Sequence, residues 1–176
     1  MKNWHYLIFT IIVIMLSGCY SKHEDTRTPE MHKQDLKKSL SVLKGKYIIK
    51  DSRNTMKDYF TSVEVYSADD NAVSISLFGP KNRSYVGVGR NCVGNFHSNG
   101  AGANFHCDNI NPEAKLPFIM PVGRVYFDRW NYDYNITSGA MIGGFKAMEV
   151  KKGDYVLELA ERTNGRTHYL LLEKQP

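Results

Sequence analysis

Tyr155-Val156-Leu157-Glu158-Leu159-Ala160-Glu161-Arg162 and Thr167-His168-Tyr169-Leu170-Leu171-Leu172-Glu173, joined by Thr163-Asn164-Gly165-Arg166, decide the fold. Asn-Gly at the centre of a two-residue loop is the strongest short-range sign of a β-hairpin, because both positions need a positive φ. On the first arm Tyr155, Leu157 and Leu159 share one face, and Leu170 and Leu172 line one side of the second. A period of two with one apolar face is the mark of a half-buried antiparallel strand.

The same period recurs upstream. Val73, Ile75 and Leu77 alternate with Ala72, Ser74 and Ser76, between the turn-rich Ala68-Asp69-Asp70-Asn71 and Gly79-Pro80-Lys81-Asn82. Tyr47 to Ile49 and Phe60 to Ser67 are further strands, separated by a polar loop from Asp51 to Lys57. Tyr85 to Cys92 follows, with Gly87 and Gly89 on one face, where something must pack close to the backbone. Cys92 to Phe96 against Asn104 to Cys107 reads as a hairpin around the glycine-rich Ser98 to Ala103. Prolines 112, 117 and 121 punctuate a long connection. Strands resume at Val122 to Trp130, near Tyr134, and at Phe145 to Val150, with Ser138-Gly139 and Gly143-Gly144 bracketing an unassigned piece. These spacings predict a mainly β chain, an antiparallel barrel or sandwich of about eight strands.

One helix precedes the strands. Thr28 suits the N-cap, Pro29 the first helical position and Glu30 the positive end of the helix dipole. Leu36, Leu40 and Leu43 recur at helical spacing, Lys33, Lys37, Lys38 and Lys44 lie mostly off that stripe, and Gly45 stops the helix. The stripe is narrow and lacks aromatic anchors, so we expect this amphipathic helix to pack on the domain rather than on a membrane.

The N-terminus is a processing segment. Lys2 precedes an apolar run from Tyr6 to Leu16, shorter than the roughly 20 residues a spanning helix needs. It ends in Leu16-Ser17-Gly18-Cys19, which resembles the lipobox of bacterial lipoproteins. The resemblance covers only these first residues. It implies cleavage before Cys19, and a diacylglycerol with acyl chains such as palmitate on that cysteine, holding the protein to a membrane. Tyr20 in place of Asp after the cysteine favours, by the same resemblance, the outer membrane facing the periplasm, with the inner membrane as the alternative. The expected organisation is a signal peptide over residues 1–18, a lipidated polar tether over 19–29 and a single β-rich domain over 30–176. Ten extended tether residues reach roughly 33 Å.

The anchor also resolves the cysteine count. Of three cysteines, Cys19 goes to lipid, leaving Cys92 and Cys107 to bond in an oxidising envelope compartment. His97 and His106 lie in the same segment, but the spacing is not that of paired zinc ligands, so no metal and no cofactor are expected. The formal net charge of +5 is scattered, and removing Lys2 lowers it by one; without a dense basic run no nucleic-acid partner is expected.

Tyr126-Phe127-Asp128-Arg129-Trp130-Asn131-Tyr132-Asp133-Tyr134-Asn135 is the least ordinary stretch of the mature chain. Tyr126, Trp130, Tyr132 and Tyr134 occupy even positions, and an unbroken strand period would turn these rings into the core. The competing reading is a binding surface, with Trp130, Tyr132, Tyr134 and Arg129 meeting a cell-wall glycan or an envelope protein. Asp128 and Asp133, five apart in an extended strand, are too distant to act as a glycosidase pair. No Gly-x-Ser-x-Gly, HExxH, P-loop or Rossmann fingerprint occurs, and Gly87-Val88-Gly89 is only a fragment of the last. We therefore expect no catalytic residues, and a non-enzymatic binding or structural module of the bacterial envelope. The alternative is an inhibitor or immunity protein against a lysozyme-like hydrolase or toxin, acting through a loop at His97–Ala103.

Overall fold

The computed structural model describes residues 25–53, 59–96, 102–112, 122–137, 147–162 and 166–176. The lipobox, the His97 loop, the apolar stretch 116–120, the glycine pairs near 139 and 143, and Asn164-Gly165 lie outside them. Helix α1 (Pro29–Leu43) leads into β1 (Gly45–Arg53), β2 (Ser62–Asp69), β3 (Ala72–Gly79), β4 (Arg83–Phe96) and β5 (Ala103–Pro112). Strands β6 (Val122–Arg129), β7 (Tyr134–Ile136), β8 (Met148–Val150), β9 (Tyr155–Glu161) and β10 (Thr167–Lys174) complete the chain. Among the described residues no helix is long and apolar enough to cross a membrane.

The sheet closes on itself as an antiparallel barrel in the order β1–β10–β9–β6–β5–β4–β3–β2, with β2 returning to β1. This is an up-and-down meander with one insertion: between β6 and β9 the chain leaves the barrel to form the separate β7–β8 ribbon. Inward positions carry the core, with Val63, Val65, Val73, Ile75, Leu77, Phe105, Phe127, Leu157 and Leu170 almost wholly buried. At its centre the rings of Tyr47 and Phe105 meet Phe127 edge-on, with centroids at 5.4 and 5.7 Å. Such T-shaped contacts set the positive ring edge against the negative ring face.

Helix α1 lies across the barrel mouth formed by the start of β1 and the end of β4, and Leu36, Leu40 and Leu43 join the barrel core. Thr28 Oγ1 accepts from the Met31 amide at 3.3 Å, as its N-cap position predicts. At the other end the barrel supplies the donors that the last helical carbonyls lack. Tyr47 OH donates to Leu43 O at 2.6 Å, and Lys174 Nζ donates to Val42 O at 2.6 Å. Close approach of helix and strand needs Gly94, where an added Cβ would stand 2.5 Å from Leu36 Cα. The segment before the helix is less free than a tether reading implies. Arg27 pairs with Asp25 and Asp35, and also donates to Gly94 O at 3.0 Å, so residues 25–28 are held on the barrel.

Cys92 and Cys107 form a disulfide across β4 and β5. Simple alternation from Gly87 and Gly89 would point Cys92 outward. A bulge intervenes: register shifts flank Arg90, and Asn91 takes φ 54°. The extra residue turns Cys92 inward, buried like Cys107. Gly89 is then required, because a Cβ there would lie 2.6 Å from Cys107 Cβ. The cross-link spans 15 residues. In the chain-entropy picture it stabilises the fold by about 3 kcal/mol. Cys92→Ala with Cys107→Ala should therefore lower the urea midpoint, and a reductant should do the same to the wild type while leaving the double variant unmoved.

The opposite mouth holds a polar pair inside an apolar wall. Beyond Leu159 and Leu170 in the inward rows stand Glu161 and His168, both buried, with His168 Nε2 and Glu161 Oε1 2.6 Å apart.

Candidate binding surface

The unusual aromatic stretch does not continue β6. Trp130 N donates to Asp154 O, and Gly153 N donates back to Trp130 O at 2.7 Å, so the chain turns out of the barrel there. Strand alternation therefore stops at Arg129. Inward positions on β6 belong to the odd-numbered Val125 and Phe127, so even positions face outward from Tyr126 onward, and the expectation that these rings fill the barrel core is overturned by the phase of the strand. Tyr132 is 55 % exposed and Tyr134 47 % exposed.

The rings gather into a shelf on the outer wall. Trp130 and Tyr134 stack with planes 4° apart and centroids at 5.0 Å, and Tyr132 stands edge-on to both. Beneath them a small satellite core of Ile136, Met148, Val150, Val156 and Leu171 fastens the β7–β8 ribbon to β9 and β10, with Trp130 and Tyr169 packed against it. The ribbon is braced by its turn residues: Asp133 Oδ1 accepts from the Lys152 amide at 2.8 Å, and Lys151 pairs with Glu149.

Next to the shelf, the outward row across β6, β9 and β10 reads Tyr126, Glu158, Tyr169 in direct cross-strand register. Directly opposed residues have Cβ atoms about 5 Å apart, so Glu158 stands between two phenol rings. Asp128 lies one outward step away on β6. These groups share one electrostatic environment. Burial, then Asp128, Glu158 and Tyr132, push the Tyr126 hydroxyl up to about 12. Tyr169 is raised by burial, by Glu158 and by Tyr134. Glu158 is half-buried, and its carboxyl is raised by burial and by Asp128, with no donor or cation among the described residues lowering it.

The raised Glu158 carboxyl sets a direction for stability against pH. The unfolded chain ionises this side chain at the ordinary glutamate value, the folded chain only at a higher pH. Its contribution is therefore fully present below the ordinary value and is lost as pH rises through the folded one. Glu158→Gln should raise the melting temperature at pH 7 and remove that part of the decline. Thermal unfolding of both proteins between pH 3 and pH 8 measures it.

Of the sequence-selected binding residues, Trp130, Tyr132 and Tyr134 come together and Arg129 does not join them. Its guanidinium sits 5.8 Å from the Tyr155 ring centroid at the helix-side mouth. There Arg129, Gly102, Asn131, Lys152 and Gly153 border a hollow of about 280 Å³ that also touches Trp130. Glu158, Tyr126 and Tyr169 were not selected from the sequence. The alternation of β9 marks Glu158 as outward, but only the barrel order places it between those two tyrosines. Among the described residues no group of histidine, cysteine and carboxylate side chains is arranged to hold a metal ion. Comparison of the chain with protein-family models, with curated proteins and with solved structures finds no match.

Proposed function

We propose that the protein is a lipid-anchored, non-enzymatic binding module of the bacterial envelope, with the aromatic shelf as its ligand surface. The observation that carries the binding role is the position of Trp130, Tyr132 and Tyr134. Trp130 and Tyr134 stack outside the barrel with Tyr132 edge-on to both, and a ribbon with its own small core holds them. Leaving Tyr132 and Tyr134 half exposed forgoes part of the roughly 1.5–3 kcal/mol that full burial of a large apolar side chain supplies. Rigid, half-exposed Trp and Tyr clusters are the form that binding hot spots take. An envelope protein or a cell-wall glycan is the partner class for such a shelf. The Leu16–Cys19 motif supports the anchor on Cys19, and Tyr20 after it supports the outer membrane facing the periplasm.

The test is a pull-down of the acylated protein from envelope extract, beside variants carrying Trp130→Ala, Tyr132→Ala or Tyr134→Ala. The expected result is a partner, protein or glycan strand, lost from the ring variants while their far-ultraviolet circular dichroism stays that of the wild type. If folded ring variants retain every partner of the wild type, the shelf is not the ligand surface. Processing that stops in globomycin, with the precursor accumulating, is the outcome expected for the anchor; unchanged processing would remove it.

A further inference from the structure

We propose that the shelf receives a cationic side chain, arginine or lysine, presented by a protein partner. The inference rests on the shelf being the ligand surface and adds which chemistry it takes. Three features converge. The first is the pair of exposed rings Tyr132 and Tyr134, the latter backed by the stacked Trp130, whose quadrupoles put negative charge on their faces. The second is Glu158, an outward carboxylate set between Tyr126 and Tyr169 with Asp128 one step away. The third is the absence, among the described residues, of a cation compensating Glu158. Arg129 is turned to Tyr155, and Lys151 is engaged by Glu149.

A carboxylate already half-removed from water by tyrosines has been desolvated in advance, so pairing it with a guanidinium or ammonium costs less than pairing an exposed one. The bound cation would meet ring faces on one side and the carboxylate on the other, both favouring positive charge. A neutral sugar could stack on the rings but would leave the charge of Glu158 uncompensated. The shelf is open, with Tyr132 and Tyr134 about half exposed. That shape suits a side chain carried on a second protein surface, because a small free amine gains its affinity from an enclosing pocket. The chain as a whole is basic, with a formal net charge of +5. Attraction of a cationic probe therefore has to come from a local site rather than from the overall field.

The experiment uses the acylated full-length protein in detergent micelles. Trp130 is the only tryptophan after Cys19, so its fluorescence reports the shelf directly. The probes are a Gly-Ser peptide carrying arginines, the same peptide with lysines, the same peptide with citrullines, and a soluble glycan strand of cell wall. The expected result is saturable quenching by the arginine and lysine peptides that weakens with salt. Citrulline, isosteric and neutral, should bind about tenfold more weakly. Glu158→Gln should lose that preference while its Trp130 emission without peptide and its circular dichroism match the wild type. Equal binding of the citrulline peptide, or undiminished arginine binding by Glu158→Gln, overturns the proposal. Saturation by the glycan with no response to the cationic peptides also overturns it, yet leaves the shelf as a ligand surface. No quenching by any probe, together with ring variants that keep all partners in the pull-down, removes both readings.

Discussion

Glu161→Ala should destabilise the fold by about 3–5 kcal/mol, against a total of about 5–15 kcal/mol for an ordinary domain. Glu161 and His168 close the barrel interior at the mouth away from the helix, their side chains each only 6 % exposed. Inside that wall a 2.6 Å contact between them stands in for the water both groups gave up on folding. Alanine removes the carboxylate that the buried imidazole meets at 2.6 Å and puts nothing polar in its place. Glu161→Gln keeps an acceptor in place and should cost much less. Replacing both residues with leucine extends the apolar rows of Leu159 and Leu170 and should recover most of the loss. Urea unfolding of these variants gives the comparison. A double leucine variant as unstable as Glu161→Ala would show that the pair's polarity matters beyond mutual compensation.

The second large effect lies one side chain inward from the shelf. Phe127→Ala should cost about 3–5 kcal/mol, from lost burial and from the cavity left between rings that cannot close over it. Phe127 is fully buried and touches Tyr47, Phe105 and Tyr155 by its ring. Tyr126, its immediate neighbour, faces outward, and Tyr126→Ala should cost well under half as much. The ratio between two adjacent positions tests the inward–outward assignment of β6 without any assumption about function. Equal losses at 126 and 127 would mean that the strand is rotated relative to this description.

The contrast between those two residues also marks what the chain discloses of itself. Period-two runs such as Val73, Ile75, Leu77 are local, and they announce strands because each inward side chain needs no information from elsewhere. The helix is equally local, with its Thr28 cap and its leucine stripe, and both expectations hold. Closure into a barrel rather than a sandwich is not local, since it depends on β1 finding β10 across the whole chain. The bulge at Asn91 is hidden for another reason: asparagine tolerates positive φ without requiring it, so nothing in Arg90-Asn91-Cys92 announces an extra residue. The shelf was half legible. Its rings stand out as composition, but their side of the wall depends on the odd positions of β6 taking the interior, and their gathering on the turn at Trp130, whose backbone partners lie at Gly153 and Asp154. Residues 25–28 look like free tether because a tie to the barrel runs from Arg27 to a backbone carbonyl on β4, far along the sequence.

Closure of the sheet has a consequence for how any partner can approach. A barrel in which every strand has two hydrogen-bonded neighbours offers no row of unsatisfied amides and carbonyls along its wall. A second chain cannot dock there by lengthening the sheet, and copies of the molecule crowded on one surface cannot polymerise through the barrel by that route. Recognition along the barrel strands must then be written in side chains, open strand edges being left, among the described residues, only on the β7–β8 ribbon, and a few substitutions among the outward rows could exchange one partner for another while the interior stays as it is.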